Sequence, residues 1–329
     1  MLKVAIACQG GGSHAAFAAG LLHALLTDPD PAHAFELKGI SGTSGGAMCA
    51  ALVWAGFVAA GREDADRRLM GFWETLKAND PPDFWANAVS QMFAALPFTF
   101  EVSPYRVPAP AAAIMRGWLK DHLRLEALPP PRPDEPELLV GATDVLSGDR
   151  VVIAGREVNY DALIASAAVP FLYEAVPFQQ WMLWDGLFSV NPPIRDLVKL
   201  DIDELWVIQI NPQRSPLPRL TAEIIDRRNE LSGNIAMAQE LHFVDKINRL
   251  IAENAFTPEA MASGNFRTVQ IRLVESGLTD KSYASKLNRA PYFIDELLKK
   301  GAAAAGAFFD DGSLWPRPDA VKGKAVRIG

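Results

Sequence analysis

Two short, almost unbroken apolar runs open the chain, and each gives way to glycines and then to a longer Ala- and Leu-rich stretch. The first run, residues 3–8, predicts a fully buried strand, residues 9–13 a glycine turn and residues 14–26 a helix. The second repeats the pattern, with a strand over 36–41 and a helix over 45–60. Strand, turn and helix twice over, with strands apolar on both faces, predict a parallel sheet covered by helices.

Farther along, helical periodicity covers residues 63–77, 84–96 and 111–123, with Pro97, Pro104, Pro108 and Pro110 interrupting a region rich in Phe, Tyr and Ala. Pro129-Pro130-Pro131, Pro133 and Pro136 mark a rigid surface connection. Residues 137–144 and 150–154 flank the turn Ser147-Gly148-Asp149 and read as a hairpin. A short helix over 160–168 stops before Pro170, and strands are expected over 181–184 and 204–210. Apolar positions from Ile225 to Leu250 fit one or two long amphipathic helices over 221–254. A final strand over 269–273, a helix over 291–300 and an irregular tail complete the chain, with no internal repeat.

Composition narrows the function more than the fold. The 329 residues are 49% hydrophobic, enough for a large core, and the net charge of -7 with no basic block argues against a nucleic-acid partner. The two cysteines, Cys8 and Cys49, lie in apolar segments and read as buried thiols in a reducing compartment. The five histidines show no metal-ligand spacing, so no metal is expected. The first apolar run is too short for a signal peptide and no stretch is long enough to span a membrane, which suggests a soluble, cytoplasmic protein.

The chemistry centres on Gly42-Thr43-Ser44-Gly45-Gly46, a G-x-S-x-G sequence between a strand and a helix. That is the context of a nucleophile elbow, where the chain turns sharply and leaves the serine hydroxyl exposed. Gly42 and Gly46 let the backbone pack closely on either side. Acyl transfer also needs donors for an oxyanion, and Gly10, Gly11 and Gly12 offer consecutive unobstructed N–H groups. The same run fits neither a phosphate-binding G-x-x-x-x-G-K-[ST] loop nor G-x-G-x-x-G. A Ser–acid–His triad fits poorly. The elbow follows only the second strand, and after the acid candidate Asp185 the only histidine is His242, in an amphipathic helix.

The Gly-Gly-Gly turn after the first strand, G-x-S-x-G after the second and the late Asp185-Gly186 together resemble the patatin-like phospholipases. Ala142-Thr143-Asp144-Val145, the run from Ala165 to Phe171, and Trp184-Asp185-Gly186 followed by Asn191-Pro192-Pro193 extend the resemblance over residues 3–210. It implies a three-layer α/β/α fold with a mainly parallel central sheet and an inserted helical cap. It also implies a Ser44–Asp185 dyad without histidine, an oxyanion hole from Gly10 to Gly12, and no cofactor. The activity implied is a serine lipid acyl hydrolase of phospholipase or carboxylesterase type. An acyltransferase built from the same parts and a weakly active lipid-binding protein are the alternatives.

One domain is expected over residues 1–275, with a helical, Pro-rich insertion over about 62–136, and a helical extension over 276–329 packed on it. Many members of the family carry glycine where Ala15 stands, and its methyl is expected to crowd either the turn or the helix start and so bear on the shape of the oxyanion hole; His14 either lines the pocket or packs at the helix start. Large apolar residues between 84 and 118, among them Phe84, Trp85, Phe98, Phe100 and Trp118, either line an acyl-chain groove, touch a membrane surface or form ordinary core.

Overall fold

A computed structural model describes residues 1–94, 103–106, 111–170, 172–263, 266–279, 283–310 and 313–315. Its elements in chain order are β1 (Leu2–Cys8), α1 (Ala16–Thr27), β2 (Phe35–Thr43), α2 (Gly45–Ala59), α3 (Arg62–Leu76), α4 (Pro81–Ala94) and α5 (Ala111–Leu123). There follow β3 (Glu137–Asp144), β4 (Arg150–Ala154), α6 (Tyr160–Ser166), β5 (Val176–Phe178), β6 (Trp181–Asp185) and β7 (Glu204–Gln209). The chain continues with α7 (Thr221–Ala252), α8 (Pro258–Ala262), β8 (Gln270–Glu275), α9 (Pro291–Ala304) and β9 (Leu314–Trp315).

The strands form one sheet in the order β5-β6-β3-β2-β1-β7-β8-β9, with β4 also paired to β3. The centre, β3-β2-β1-β7-β8, is parallel, and antiparallel pairs occur only towards the margins. Side chains alternate across it. Val4, Ile6, Cys8, Trp206 and Ile208 enter the core shared with α1, α2, α3 and α9. Ala5, Ala7, Leu205 and Val207 face the other way, onto Met237, Leu241 and Val244 of α7. Both faces are therefore covered, which is why the central strands read as continuous apolar runs rather than alternating ones. Each fully buried side chain of Ile or Leu size contributes about 1.5–3 kcal/mol. The three-layer architecture with a mostly parallel sheet and inserted helices is the expected one.

The structure decides one open alternative and adds two short strands that the sequence pattern does not predict. Region 221–254 is a single 32-residue helix, α7. The expected last strand at 269–273 is followed by β9, two residues long, and β5 has only three. Elements this short carry no periodicity of their own; their partners, β8 and β6, define them. Among the described residues no helix is long and apolar enough to cross a membrane.

Strand order reverses at β1, which has β2 on one side and β7 on the other. Ligand crevices of open α/β sheets form at such a reversal, beyond the carboxyl ends of the strands. Gly10–Gly12, Ser44 and Asn211 all leave the sheet at that end.

Candidate active site

Ser44 stands between the last residue of β2 and the first turn of α2, with φ 55° and ψ -128°. This backbone conformation is sterically costly for a residue with a Cβ and is held by its surroundings. The Ser44 N–H donates to Ser166 Oγ at 2.9 Å, and that hydroxyl in turn donates to the Gly141 carbonyl at 2.6 Å. The Ser44 carbonyl accepts from the Ala47 and Met48 amides, so its backbone starts α2 while its side chain takes no part in capping. Room for the turn comes from the flanking glycines. A Cβ on Gly42 would lie 2.3 Å from the Gly46 carbonyl oxygen, and one on Gly46 would lie 2.2 Å from that of Cys8.

Asp185 ends β6, which runs antiparallel to β3. Its carboxyl is fully enclosed, with Oδ1 accepting from the Leu187 N–H at 2.8 Å. Oδ2 is buried without a hydrogen-bond partner. Burial pushes the Asp185 pKa up from 3.8 to about 7, against smaller lowering effects from the Leu187 amide and the Ser44 hydroxyl. Ser44 is therefore near enough to act on the carboxylate, while its contact stops short of full hydrogen-bond geometry. Thr143 Oγ1 donates to the Asp185 carbonyl at 3.0 Å and steadies the strand end.

The glycine loop passes directly over the serine, since a Cβ on Gly10 would stand 2.9 Å from Ser44 Cβ. Its three amides are not equivalent, however. The Gly10 N–H donates to Asn191 Oδ1 at 2.7 Å, inside the protein. Of the three amides expected as oxyanion donors, that of Gly10 is thus already bonded within the protein. Among the described residues the Gly11 and Gly12 amides have no acceptor, and both residues line the cavity beside Ser44. Gln9 secures the base of the loop: its side-chain oxygen accepts from the Ile210 and Asn211 amides at 2.9 and 2.8 Å.

The buried Ala15 methyl faces Gly45 at the start of α2, where a Cβ would come within 2.8 Å of it. His14 packs rather than lining the cavity, with Nε2 2.7 Å from Ser285 Oγ and its ring against Phe293. His242 lies beside Trp315 of β9. Cys8 and Cys49 are buried free thiols, both with raised pKa from burial.

Ser44 and Asp185 open into a cavity of about 380 Å³. Met48, Phe72, Trp73, Leu76, Met115 and Trp118 supply an apolar wall from α2, α3 and α5. A second, polar wall holds Asn191, Asn211, Asp226, Asn229, Glu230 and Lys286. Large apolar side chains on α4 are solvent-exposed: Phe84 by 52%, Trp85 by 68% and Met92 by 56%. Phe98 and Phe100 lie outside the described residues.

Ser166 and Asn191 lie in segments that carry the family resemblance, but their positioning roles, on the Ser44 and Gly10 amides, are not read from the motifs. Each is a lone polar side chain in an apolar or proline-flanked run, and that is the one local signal of its role. No curated protein matches the chain. A family model described as patatin-like phospholipase matches residues 6–198. Among solved structures, VipD from Legionella pneumophila is similar at 10% identity and a TM-score of 0.42, over 93% of this chain and 66% of that one. The type III effector protein ExoU is similar at 15% identity and a TM-score of 0.31, over 91% of this chain. The chain thus spans just under two thirds of the first protein's length and 53% of the second's.

Proposed function

The chain belongs to the patatin-like phospholipase family, a family of lipid hydrolases, and we propose that it cleaves carboxylic esters of lipids through a Ser44–Asp185 dyad and an acyl-enzyme. The observation that carries this reading is the buried Oδ2 of Asp185, unpaired at the strand end that meets the nucleophile elbow. A buried carboxylate with a pKa of about 7 is a far better base at neutral pH than an ordinary aspartate.

In the proposed reaction Ser44 Oγ attacks the ester carbonyl carbon while its proton passes to Asp185. The carbonyl oxygen becomes an oxyanion held by the Gly11 and Gly12 amides, with the positive end of α2 nearby. Collapse breaks the bond to the alcohol oxygen, which leaves with the proton from Asp185. Water then attacks the acyl-serine as Asp185 takes one of its protons. The second collapse returns that proton to Ser44 Oγ and frees the fatty acid. The apolar wall suits the acyl chain. The exposed aromatic residues of α4, a helix whose Asp83 and Ser90 line the cavity, suit a peripheral contact with a lipid surface.

Labelling with a fluorophosphonate tests the reading, with Ser44→Ala as control. Stoichiometric labelling of the wild type alone is expected, and a folded protein that stays unlabelled would overturn it.

A further inference from the structure

The polar wall has a definite charge balance. Lys286 Nζ lies 2.6 Å from Asp226 Oδ1 and 3.0 Å from Glu230 Oε1, and the other Glu230 oxygen accepts from Arg227 at 3.0 Å. The other cation on the cavity surface, Arg289, is bound to Asp83 through both carboxylate oxygens and lies over the Trp118 ring. Among the described residues, then, Lys286 and Arg289 are the cavity's cations, and each is already committed to carboxylates. Burial raises the Asp226 pKa even with Lys286 alongside, so negative charge is already disfavoured at this end.

This end also adjoins the reacting centre. A Cβ on Gly12 would stand 2.4 Å from the Lys286 carbonyl oxygen. Asn191, whose Oδ1 holds the Gly10 amide, has its Nδ2 2.6 Å from the point where a Cβ on Gly233 of α7 would stand. Next along α7, Asn229 lines the cavity and its Oδ1 is buried without a partner among the described residues. An unpaired buried acceptor is unfavourable until a donor reaches it. With the acyl chain on the apolar wall, the alcohol half of an ester falls on this one. A hydroxyl there would satisfy Asn229, whereas a phosphate would bring charge to Asp226 and Glu230 with no free cation to meet it.

We propose that the α7 wall is the alcohol subsite and that it selects uncharged, hydroxyl-bearing alcohols, as in monoacylglycerols, with Asn229 accepting from a substrate hydroxyl. The proposal rests on the ester-hydrolase reading and narrows its substrate class.

Monolauroylglycerol and lauroyl lysophosphatidic acid share acyl chain and glycerol and differ in the phosphate, so their kcat/KM ratio with the full chain reads the subsite directly. A ratio of at least about 10 in favour of monolauroylglycerol is expected, falling about ten-fold in Asn229→Leu. Asn229→Asp, which keeps an acceptor and adds charge, should hold or raise the ratio and shows that the position tolerates change. A wild-type ratio of one or less, or a ratio unmoved by Asn229→Leu, overturns the proposal. Calorimetric binding of both lipids to Ser44→Ala separates the two readings. Preferential binding of monolauroylglycerol without fluorophosphonate labelling of the wild type would defeat the hydrolase reading alone. Equal, reversed or absent binding would defeat the subsite.

Discussion

Thr43 and Asp185 occupy consecutive places along one edge of β3: Thr43 pairs with Gly141 and Asp185 with Ala142. Since β4 pairs with Leu139–Thr143 and overlaps both neighbours, β2 and β6 must share the opposite edge. They run head-on, so the carboxyl end of each strand points at the other, and Ser44, one residue past Thr43, meets Asp185 there. The proposed nucleophile and base are set by strand pairing rather than by loops, a rigid arrangement for a catalytic pair.

Removing either member should abolish turnover without unfolding the protein. Ser44→Ala and Asp185→Asn are each expected to lower kcat by about 10³-fold or more, and the double variant little further, because the two act as one unit. Steady-state kinetics on a short-chain p-nitrophenyl ester check this; additive losses would contradict a dyad.

The pH profile follows from Asp185. With its pKa near 7, log kcat/KM should climb with unit slope on the acid side and level off above about pH 7. An activity already flat from pH 5 would mean that another group serves as the base.

Stability should run the opposite way. Between pH 3.8 and about 7 the unfolded chain has released the Asp185 proton while the folded protein retains it, so the folded state loses ground as pH rises, and the loss is complete above about 7. Integrated over roughly three pH units, the loss is on the order of 4 kcal/mol. Asp185→Asn has no charge to bury, so its Tm advantage over wild type should grow between pH 4 and pH 8. Scanning calorimetry at the two pH values would show it, and an equal difference at both would argue against a raised pKa.

Ser166 bridges the Ser44 amide and the Gly141 carbonyl, both buried. Ser166→Ala leaves the two groups unpaired and should cost about 2–4 kcal/mol by chemical denaturation. The loosened elbow should also lower kcat more than it raises KM, whereas unchanged kinetics would make Ser166 purely structural.

On α4, Phe84 and Trp85 are exposed and line no part of the cavity. The double change Phe84→Ser and Trp85→Ser should weaken sedimentation with phosphatidylcholine vesicles by about ten-fold, in keeping with the loss of two large apolar anchors, and spare turnover of a soluble short-chain ester. Unaltered vesicle binding would place any lipid contact elsewhere.

How far the sequence discloses this site depends on the range of the interactions. β1, β2 and the elbow are legible because each is a local pattern: an apolar run, a glycine cluster, then a helix. The adjacency of Ser44 and Asp185 is no local pattern: it depends on two strands sharing one edge of a third, and in the sequence only the family resemblance implies it. The engagement of the Gly10 amide depends on Asn191, 181 positions away, and no local spacing records it. Ala15 shows the same limit on a smaller scale. The residue its methyl faces, Gly45, belongs to another element, and no local spacing records it. β5 and β9 escape notice because two or three residues cannot establish a period.

The strand β7 at the side of β1 carries one more implication. Likeness to the family ends at residue 198, but the sheet does not close there. A chain cut at that point would turn β1, now paired on both sides, into a bare edge with its N–H and C=O groups open to other chains. It would also strip away α7 and α9, which cover the sheet from its two sides. The limit of family resemblance is thus no seam at which the protein divides. A fragment ending there should aggregate rather than fold as a smaller version of the whole.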